Sequence, residues 1–392
     1  MSSTATSKNF KLGYRPTLDG LRGVSILAVM FVHGRLFAVG RGGFLGVDIF
    51  FVLSGFLITS LLLEEWTQNG RVSFRNFYIR RGLRLLPPLL LLIALCLIQV
   101  AVFPPPEGIA HGVKSVLVAL CYLTNWMPNA VYPPLVHTWS LAIEEQFYIV
   151  WPVLLVFLLW IKIPHRGIVG LLLLLIVVIG IHRAMLWHEL KDLERALIFG
   201  RLDARADALL VGCVAAILIS RNLIPAKQWV IALIRIRTLL SVAELSACLI
   251  AVPLNSVFLF YGGFTVVAVM VAFIIANLFT SPWRLLELTL GLGWLRWFGR
   301  LSYGLYLWHL PIYLLYDQFG PRFAFRSYTL TVLAPFPFKV ILAIGVATLS
   351  FYFVERPALR LKSRFSALRY RKEGSVVATA PLMATGEQVS IR

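Results

Sequence analysis

Charged residues are scarce in this sequence, and acidic residues are the scarcest. Only 14% of the 392 residues are charged, and 18 Asp and Glu stand against 37 Lys and Arg. Soluble domains carry about 25% charged residues, so this composition excludes an ordinary soluble protein. The positive excess does not indicate nucleic-acid binding, because the basic residues lie between apolar runs. The preference of Lys and Arg for cytoplasmic loops explains that placement.

Several familiar sequence features are also missing. The four cysteines lie within or beside apolar stretches without CxxC or metal-type spacing, so we expect neither a disulfide framework nor a metal site. The N terminus, MSSTATSKNF, has no apolar core or cleavage site, and we expect no removable signal peptide. P-loop, dinucleotide-binding, zinc-protease and nucleophile-elbow motifs are absent. No internal repeat is evident, which argues against a transporter built from two related halves.

Long apolar runs dominate what is present, since 59% of the residues are hydrophobic. The fold class predicted is therefore all-α, a polytopic integral membrane protein with about ten transmembrane helices. A further run at 111–126 is short, and we interpret it as a re-entrant or interfacial helix. The spans lie roughly at 22–38, 44–63, a third ending near 103, 139–161, 167–187, 205–220, 238–253, 258–279, 301–318 and 332–354.

The positive-inside rule gives the expected topology. With ten spans and both termini in the cytoplasm, 26 of the 37 Lys and Arg residues fall on the cytoplasmic side. We divide the chain into a polar cytoplasmic N terminus (1–13), a transmembrane domain (14–360) and a basic, then disordered, cytoplasmic tail (361–392). The expected location is a bacterial cytoplasmic membrane.

The first span carries two polar residues that a lipid-facing helix would avoid. Arg22 and His33 are eleven residues apart, so they share one helix face and are separated by roughly 16 Å. Asp48, on the next span, lies at a similar depth to His33. A carboxylate bonded to one imidazole nitrogen leaves the other free to take a proton, so His33 and Asp48 could be a catalytic base and the residue that orients it. A buried pair that only joins two helices is the alternative.

Two further groups of polar residues could bind substrates. Arg80, Arg81 and Arg84 lie at the inner membrane edge, where guanidinium groups could hold a phosphorylated donor, although topology or contacts with anionic lipid explain them equally well. Asp203 and Asp207 are expected to pair with Arg201 and Arg205. The polar residues at helical spacing on two later spans could line a substrate path or only join helices: Glu144, Glu145 and Tyr148, and Ser302, Tyr306 and His309.

Six motifs, taken together, resemble one family. They span about residues 14–360 and read LDGLRGVSILAVMFVH, GVDIFFVLSGFLI, FYIRRGLRLLP, HTWSLAIEEQFYIVWP, RLDARADALLVG, and LSYGLYLWHLPIY followed by VERP. The chain resembles the acyltransferase-3 family of integral-membrane acyltransferases, whose members use cytoplasmic acyl-CoA to acylate, most often acetylate, sugars or secreted small molecules.

The resemblance implies roles for individual residues. It implies that His33 is catalytic, that Arg22 is its helix partner towards the donor side, and that Arg81 and Arg84 engage acyl-CoA. Glu144, Glu145, Asp48 and His309 stand at recurrent family positions. Some relatives carry a fused extracytoplasmic esterase-like domain, whereas this chain ends about 30 residues after VERPALRL. The expectation is that a separate partner protein delivers the acceptor or that none is needed.

The function expected is therefore that of a membrane O-acyltransferase. Acyl-CoA, in most cases acetyl-CoA, is its co-substrate, and a sugar hydroxyl of a surface polysaccharide, lipid-linked saccharide or related glycan is its acceptor. No metal and no nucleic acid is involved. Acylation of a small secreted product such as a macrolide or oligosaccharide signal, and transport of a glycan without chemistry, are the alternatives.

Overall fold

A computed structural model describes residues 10–34, 40–321 and 333–361. The predicted disordered tail, apart from residue 361, and most of the polar N terminus lie outside these ranges. Within them every regular element is helical. The first seven helices are Pro16–His33 (α1), Gly46–Asn69 (α2), Phe74–Val102 (α3), Ile109–Leu120 (α4), Trp139–Trp160 (α5), His165–Glu189 (α6) and Asp192–Ile198 (α7). The other seven are Leu202–Ser220 (α8), Gln228–Ala251 (α9), Phe264–Thr280 (α10), Arg284–Leu290 (α11), Gly293–Phe319 (α12), Phe336–Ser350 (α13) and Arg356–Leu361 (α14).

Local signals in the sequence explain several helix boundaries. Pro16 occupies the first turn of α1, where its missing N–H costs nothing. Ser73 caps α3, because its side chain accepts a hydrogen bond from the backbone N–H of Asn76. Gly70 ends α2 with a φ of 65°, a left-handed conformation that glycine adopts without a steric penalty.

The membrane character of the chain is confirmed, and the predicted count of ten spans is reached only in part. Six helical segments are long and apolar enough to cross a bilayer: α2, α3, α5, α6, α10, and α13 continued through α14. The helices α1, α8, α9 and α12 coincide with the other four predicted spans, and ten remains a prediction. The twelve residues of α4 extend only about 18 Å, so this helix alone cannot cross a hydrocarbon core of about 30 Å.

Glycines allow two central helix pairs to pack with their backbones in contact. A Cβ atom at Gly55 of α2 would lie 1.9 Å from the carbonyl oxygen of Leu209 in α8, and one at Gly212 would lie 2.1 Å from that of Val52. A Cβ at Gly299 of α12 would likewise lie 1.8 Å from the carbonyl oxygen of Asp19 in α1. Small residues at such crossings increase van der Waals contact where lipid offers no hydrophobic driving force. These contacts fix α1, which carries Arg22 and His33, and α2, which contributes Val47 and Ser54 to the candidate site.

Candidate active site

Two cavities meet back to back inside the helix bundle. The first, which we call the arginine cavity, encloses about 610 Å³ and contains Arg22, Arg81 and Arg84. The second, the histidine cavity, encloses about 1030 Å³ and contains His33 and His137. Val47 and Tyr306 line both cavities, so a thin wall separates the cationic side from the imidazole side.

The arginine cavity gathers most of the cationic and polar residues singled out from the sequence. One wall comes from α3 and another from α5 and α12. The predicted residues that line it are Arg22, Arg81, Arg84, Glu144, Tyr148, Ser302 and Tyr306. Residues three or four apart on α3, α5 and α12 therefore face the same cavity.

Arg81 is held rigidly in this cavity. Its guanidinium donates three hydrogen bonds of 2.5–3.0 Å to the carboxylate of Glu145 and lies 3.2 Å from the ring centroid of Tyr148. Glu144, the neighbouring carboxylate, accepts a 2.9 Å hydrogen bond from the hydroxyl of Ser54. A planar guanidinium that is both paired and stacked has little rotamer freedom left, so Arg81 forms a fixed part of the wall.

Arg22 and Arg84 differ from Arg81 in their pairing. Within the described part of the chain, no carboxylate lies within ion-pair distance of either guanidinium, although both line the cavity. Glu144 is the nearby carboxylate in the lining, but it forms no ion pair with either cation, so the cavity keeps an excess of positive charge that attracts an anionic ligand. Arg80, which was grouped with them from the sequence, does not line the cavity and lies 3.6 Å from Glu65.

Apart from Arg41 and the two histidines, the histidine cavity is lined mainly by apolar residues. Phe44, Phe199 and Trp139 form a continuous aromatic wall. The ring centroid of Phe199 lies 5.7 Å from that of Phe44 and 4.7 Å from that of Trp139. His33, at the end of α1, is partly exposed to the cavity. An apolar concavity with a few convergent polar groups is the usual form of a small-molecule site.

His33 is oriented by His309. The Nδ1 atom of His309 contacts only carbonyl oxygens, those of Leu305 at 3.1 Å and Tyr306 at 2.8 Å, so it must carry a proton and donate. The Nε2 atom of neutral His309 is therefore an acceptor, and it faces the Nδ1 atom of His33 at 3.2 Å. Val29 places a second acceptor, its carbonyl oxygen, 3.0 Å from that atom. His33 consequently carries its proton on Nδ1, which leaves the lone pair of Nε2 available as a base.

The wall between the two cavities is itself hydrogen-bonded. The hydroxyl of Tyr306 lies 3.0 Å from the carbonyl oxygen of His137, and that of Ser140 lies 3.4 Å from the same oxygen. The two hydroxyls are joined by a 2.5 Å hydrogen bond in which either can be the donor. This chain joins α12 to the start of α5 and fixes the position of the Tyr306 ring.

The expected pairing of Asp48 with His33 is wrong. Asp48 is fully buried, and its Oδ1 atom accepts a 2.5 Å hydrogen bond from Arg205 of α8. The guanidinium of Arg205 lies between the rings of Phe199 and Phe264, at 4.6 Å and 3.7 Å. A buried carboxylate is stabilised most by a full opposite charge, and a neutral imidazole offers none, so Asp48 joins helices α2 and α8 instead.

A second buried pair corrects another expectation. Asp207 does not pair with Arg205. It accepts hydrogen bonds from Arg183 of α6 at 2.8 Å and from Thr265 of α10 at 2.5 Å. Asp203 does pair with Arg201, as predicted. The buried charges therefore join four helices, and sequence spacing within α8 could not indicate partners on other helices.

His137 is a site residue that the sequence alone did not indicate. It lies in the short helical turn Pro133–Thr138 that precedes α5, and it begins the motif HTWSLAIEEQFYIVWP. One signal was available in the sequence: His137 directly precedes the span that carries the candidate polar residues Glu144 and Tyr148. Its 104-residue separation from His33 concealed the proximity of the two side chains.

Long apolar helices that enclose polar cavities define this chain as a polytopic helical membrane protein with an internal site. A family model described as an acyltransferase domain matches residues 15–355, nearly the whole described chain. The chain therefore belongs to the acyltransferase-3 family, as its motifs indicated.

Two relatives illustrate the similarity. The chain is 34% identical over 366 residues to the peptidoglycan O-acetyltransferase OatA of Listeria monocytogenes serovar 1/2a, across 88% of this chain and 56% of that protein. It is 31% identical over 386 residues to the O-acetyltransferase OatA of Staphylococcus aureus strain NCTC 8325, across 95% of this chain and 62% of that protein. The chain thus spans little more than half the length of these relatives. No solved structure matches it.

Proposed function

We propose that this protein is a membrane O-acetyltransferase that moves an acyl group from cytoplasmic acyl-CoA to a sugar hydroxyl. One observation carries the proposal: a cationic cavity and an imidazole cavity meet at Tyr306, with a histidine lone pair available on the second side. Family membership and the names of the relatives support acetyl transfer to a glycan. The positive-inside count supports an orientation in which the arginine cavity faces the cytoplasm of a bacterial cytoplasmic membrane and both termini are inside.

The donor occupies the arginine cavity. Coenzyme A carries phosphate groups, and the guanidinium groups of Arg22 and Arg84, which lack carboxylate partners in the described chain, are suited to bind phosphate oxygens. Arg81 contributes a fixed edge and a third cation. The roughly 16 Å between Arg22 and His33 is a distance that the extended pantetheine arm can cover, so the thioester reaches the wall at Tyr306.

The acceptor occupies the histidine cavity. The part of this cavity that a water-sized molecule can reach is about 420 Å³, within the range for ligand pockets, which leaves room for a sugar ring and the incoming acyl group. The aromatic wall of Phe44, Trp139 and Phe199 provides apolar faces for sugar rings. Because relatives are named as peptidoglycan O-acetyltransferases, a cell-wall glycan is the first acceptor to test.

The reaction then needs one base. The Nε2 atom of His33 takes the proton of the acceptor hydroxyl as the oxygen attacks the thioester carbonyl. The positive charge that develops on His33 is stabilised by the acceptor atoms facing its Nδ1–H, those of His309 and Val29. Collapse of the intermediate breaks the carbon–sulfur bond, and the departing thiolate recovers the proton from His33. His309 is in this scheme a positioning residue.

The test compares cells that express the wild type, His33→Ala or an empty vector. Mass spectrometry of cell-wall and lipid-linked glycans should show added acyl mass in the wild type alone. The variant His111→Ala serves as a control, because His111 lies on α4 and lines neither cavity. Purification by size exclusion would verify that the histidine variants are folded.

Two results would contradict the proposal. Full acyl transfer by His33→Ala would remove the base from the mechanism. Movement of a glycan across the membrane without consumption of acyl-CoA would indicate a transporter. Acyl mass found only on a small secreted product would retain the chemistry and replace the acceptor.

A further inference from the structure

The two ring nitrogens of His137 are buried and available to a ligand. Its side chain is only 2% exposed, and neither ring nitrogen makes a hydrogen bond of normal geometry in the described part of the chain, although the backbone of Leu307 lies near enough to interact with the ring. A buried donor or acceptor without a partner costs about 1–3 kcal/mol. Such a cost is tolerated where the group serves a ligand, and His137 lines the histidine cavity together with His33.

The position of His137 is fixed by its surroundings. Its carbonyl oxygen is hydrogen-bonded to the Tyr306 and Ser140 hydroxyl pair, which anchors the backbone at the wall between the cavities. Its ring centroid lies 5.4 Å from that of His309 and 5.5 Å from that of Tyr306. His309 in turn contacts His33, so the three imidazoles form one cluster, and two of them, His33 and His137, line the cavity next to the wall at Tyr306.

We propose that His137 is a catalytic residue whose ring N–H donates a hydrogen bond to the acyl carbonyl oxygen as that oxygen becomes negative. The role rests on the proposed function above. When the acceptor oxygen bonds to the carbonyl carbon, the proton passes to His33 and the carbonyl electron pair moves onto oxygen, where His137 stabilises it. When the carbon–oxygen double bond re-forms, the carbon–sulfur bond breaks and the thiolate takes the proton from His33. His137 neither gains nor loses a proton.

Electrostatics favours these separate roles for His33 and His137. His33 becomes positive during the reaction, and a second positive imidazole in the same cluster would be repelled. His137 therefore remains neutral, with one N–H donor and no net charge to desolvate. Donors that are fixed before the reaction, in a site that excludes water, stabilise an oxyanion without reorganisation.

The experiment measures steady-state acetyl transfer by protein in lipid nanodiscs. Radiolabelled acetyl-CoA is the donor, and muramidase-solubilised cell-wall saccharides of the expression host are the acceptor. His137→Phe keeps a flat ring without a donor, and His137→Gln restores an N–H donor. His137→Met replaces the Phe variant should that protein not purify folded. His111→Phe is the matched control.

We expect His137→Phe to lower kcat by about 10²–10³-fold, the effect of removing one oxyanion donor, with both KM values changed less than about threefold. His137→Gln should recover at least about tenfold of the loss. The pH profile of kcat/KM should keep its shape in both variants, because His137 exchanges no proton. Unchanged affinity for CoA would verify the fold.

Three results would overturn the role. A raised acceptor KM with unchanged kcat would make His137 a binding residue for the sugar. A changed pH profile would make it an acid or base. Wild-type kinetics in His137→Phe would remove it from the site. Failure of the wild-type protein to transfer acetyl groups would overturn the proposed function itself, and this role with it.

Discussion

Asp48→Asn is predicted to destabilise the protein, and its effect on catalysis is predicted to follow from that loss of stability. The carboxylate of Asp48 is the counter-charge of Arg205, and both side chains are fully buried. The variant keeps the size of the side chain and removes its charge. Arg205 is then left between two aromatic rings without the anion that offsets its desolvation.

The magnitude follows from the burial of the pair. Removing one partner of a buried ion pair costs about 3–5 kcal/mol, because the remaining charge stays in a medium of low dielectric constant. The cation–π contacts of Arg205 with Phe199 and Phe264 remain, so the expected loss of stability is at the lower end of this range. At roughly 2 °C per kcal/mol for a large chain, a loss of about 3 kcal/mol should lower the melting midpoint by about 6 °C.

The buried cysteines provide the assay. Cys96 and Cys213 are at most 2% exposed, and the thiol of Cys213 lies 3.6 Å from the carbonyl oxygen of Gly55, at the interface of α2 and α8. A thiol-reactive fluorophore therefore reports when these helices separate during heating in detergent. Cys121 and Cys248, which are exposed and half-buried, are replaced by serine so that only the buried thiols report the transition.

A double-mutant cycle separates the pair from other effects of each substitution. Asp48→Leu combined with Arg205→Met removes both charges and should recover most of the stability, since apolar residues of similar volume often replace a buried pair at little cost. The single variants should each be less stable than the double variant. That ordering is specific to a buried ion pair.

The opposite pattern would refute this reasoning. If Asp48→Asn melts with the wild type but loses acetyl transfer, Asp48 acts on the chemistry, as the pairing expected from the sequence would require. If the double variant is less stable than either single variant, the two side chains contribute independently.

Further predictions concern the two cavities and the helix contacts that support them. Arg81→Lys keeps the charge but loses the fork on Glu145, so the Kd for CoA, measured by calorimetry, should rise about tenfold; unchanged affinity would exclude Arg81 from the donor site. His309→Leu should lower kcat about 10²-fold and alter the pH profile of kcat/KM, with partial rescue by His309→Gln, whereas an unaltered profile would show a purely structural role. Gly55→Ala should cost several kcal/mol in the thiol melting assay because its Cβ would overlap the backbone of α8. In the control Gly180→Ala a Cβ has no neighbour within 4 Å, so its midpoint should not fall; equal effects of the two substitutions would contradict the close α2–α8 contact.

Helical periodicity predicted several juxtapositions that the structure bears out. Arg81 and Arg84 share a face of α3, and Glu144 and Tyr148 share a face of α5, because residues three or four apart on a helix point the same way. Both pairs line the arginine cavity. Each pair lies within one helix, where spacing along the chain alone determines which residues share a face.

Pairing between helices was less predictable. Asp48 was assigned to His33 on depth alone, and depth says nothing about rotation around the helix axis. In the structure, Asp48 pairs with Arg205, and His33 contacts His309. Each assignment depends on which helices are neighbours, and that information lies in the packing of the whole bundle.

The sequence by itself determined the class of the protein, the helices and the family, because hydrophobic run lengths and ordered motifs are properties of the chain alone. It also indicated most of the residues that carry the proposed chemistry, with His137 as the exception. Only the tertiary structure decided that cations and imidazoles occupy two cavities joined at Tyr306. The physical reason is that buried polar groups satisfy their charges and hydrogen bonds across helix interfaces, where residues more than a hundred positions apart become nearest neighbours.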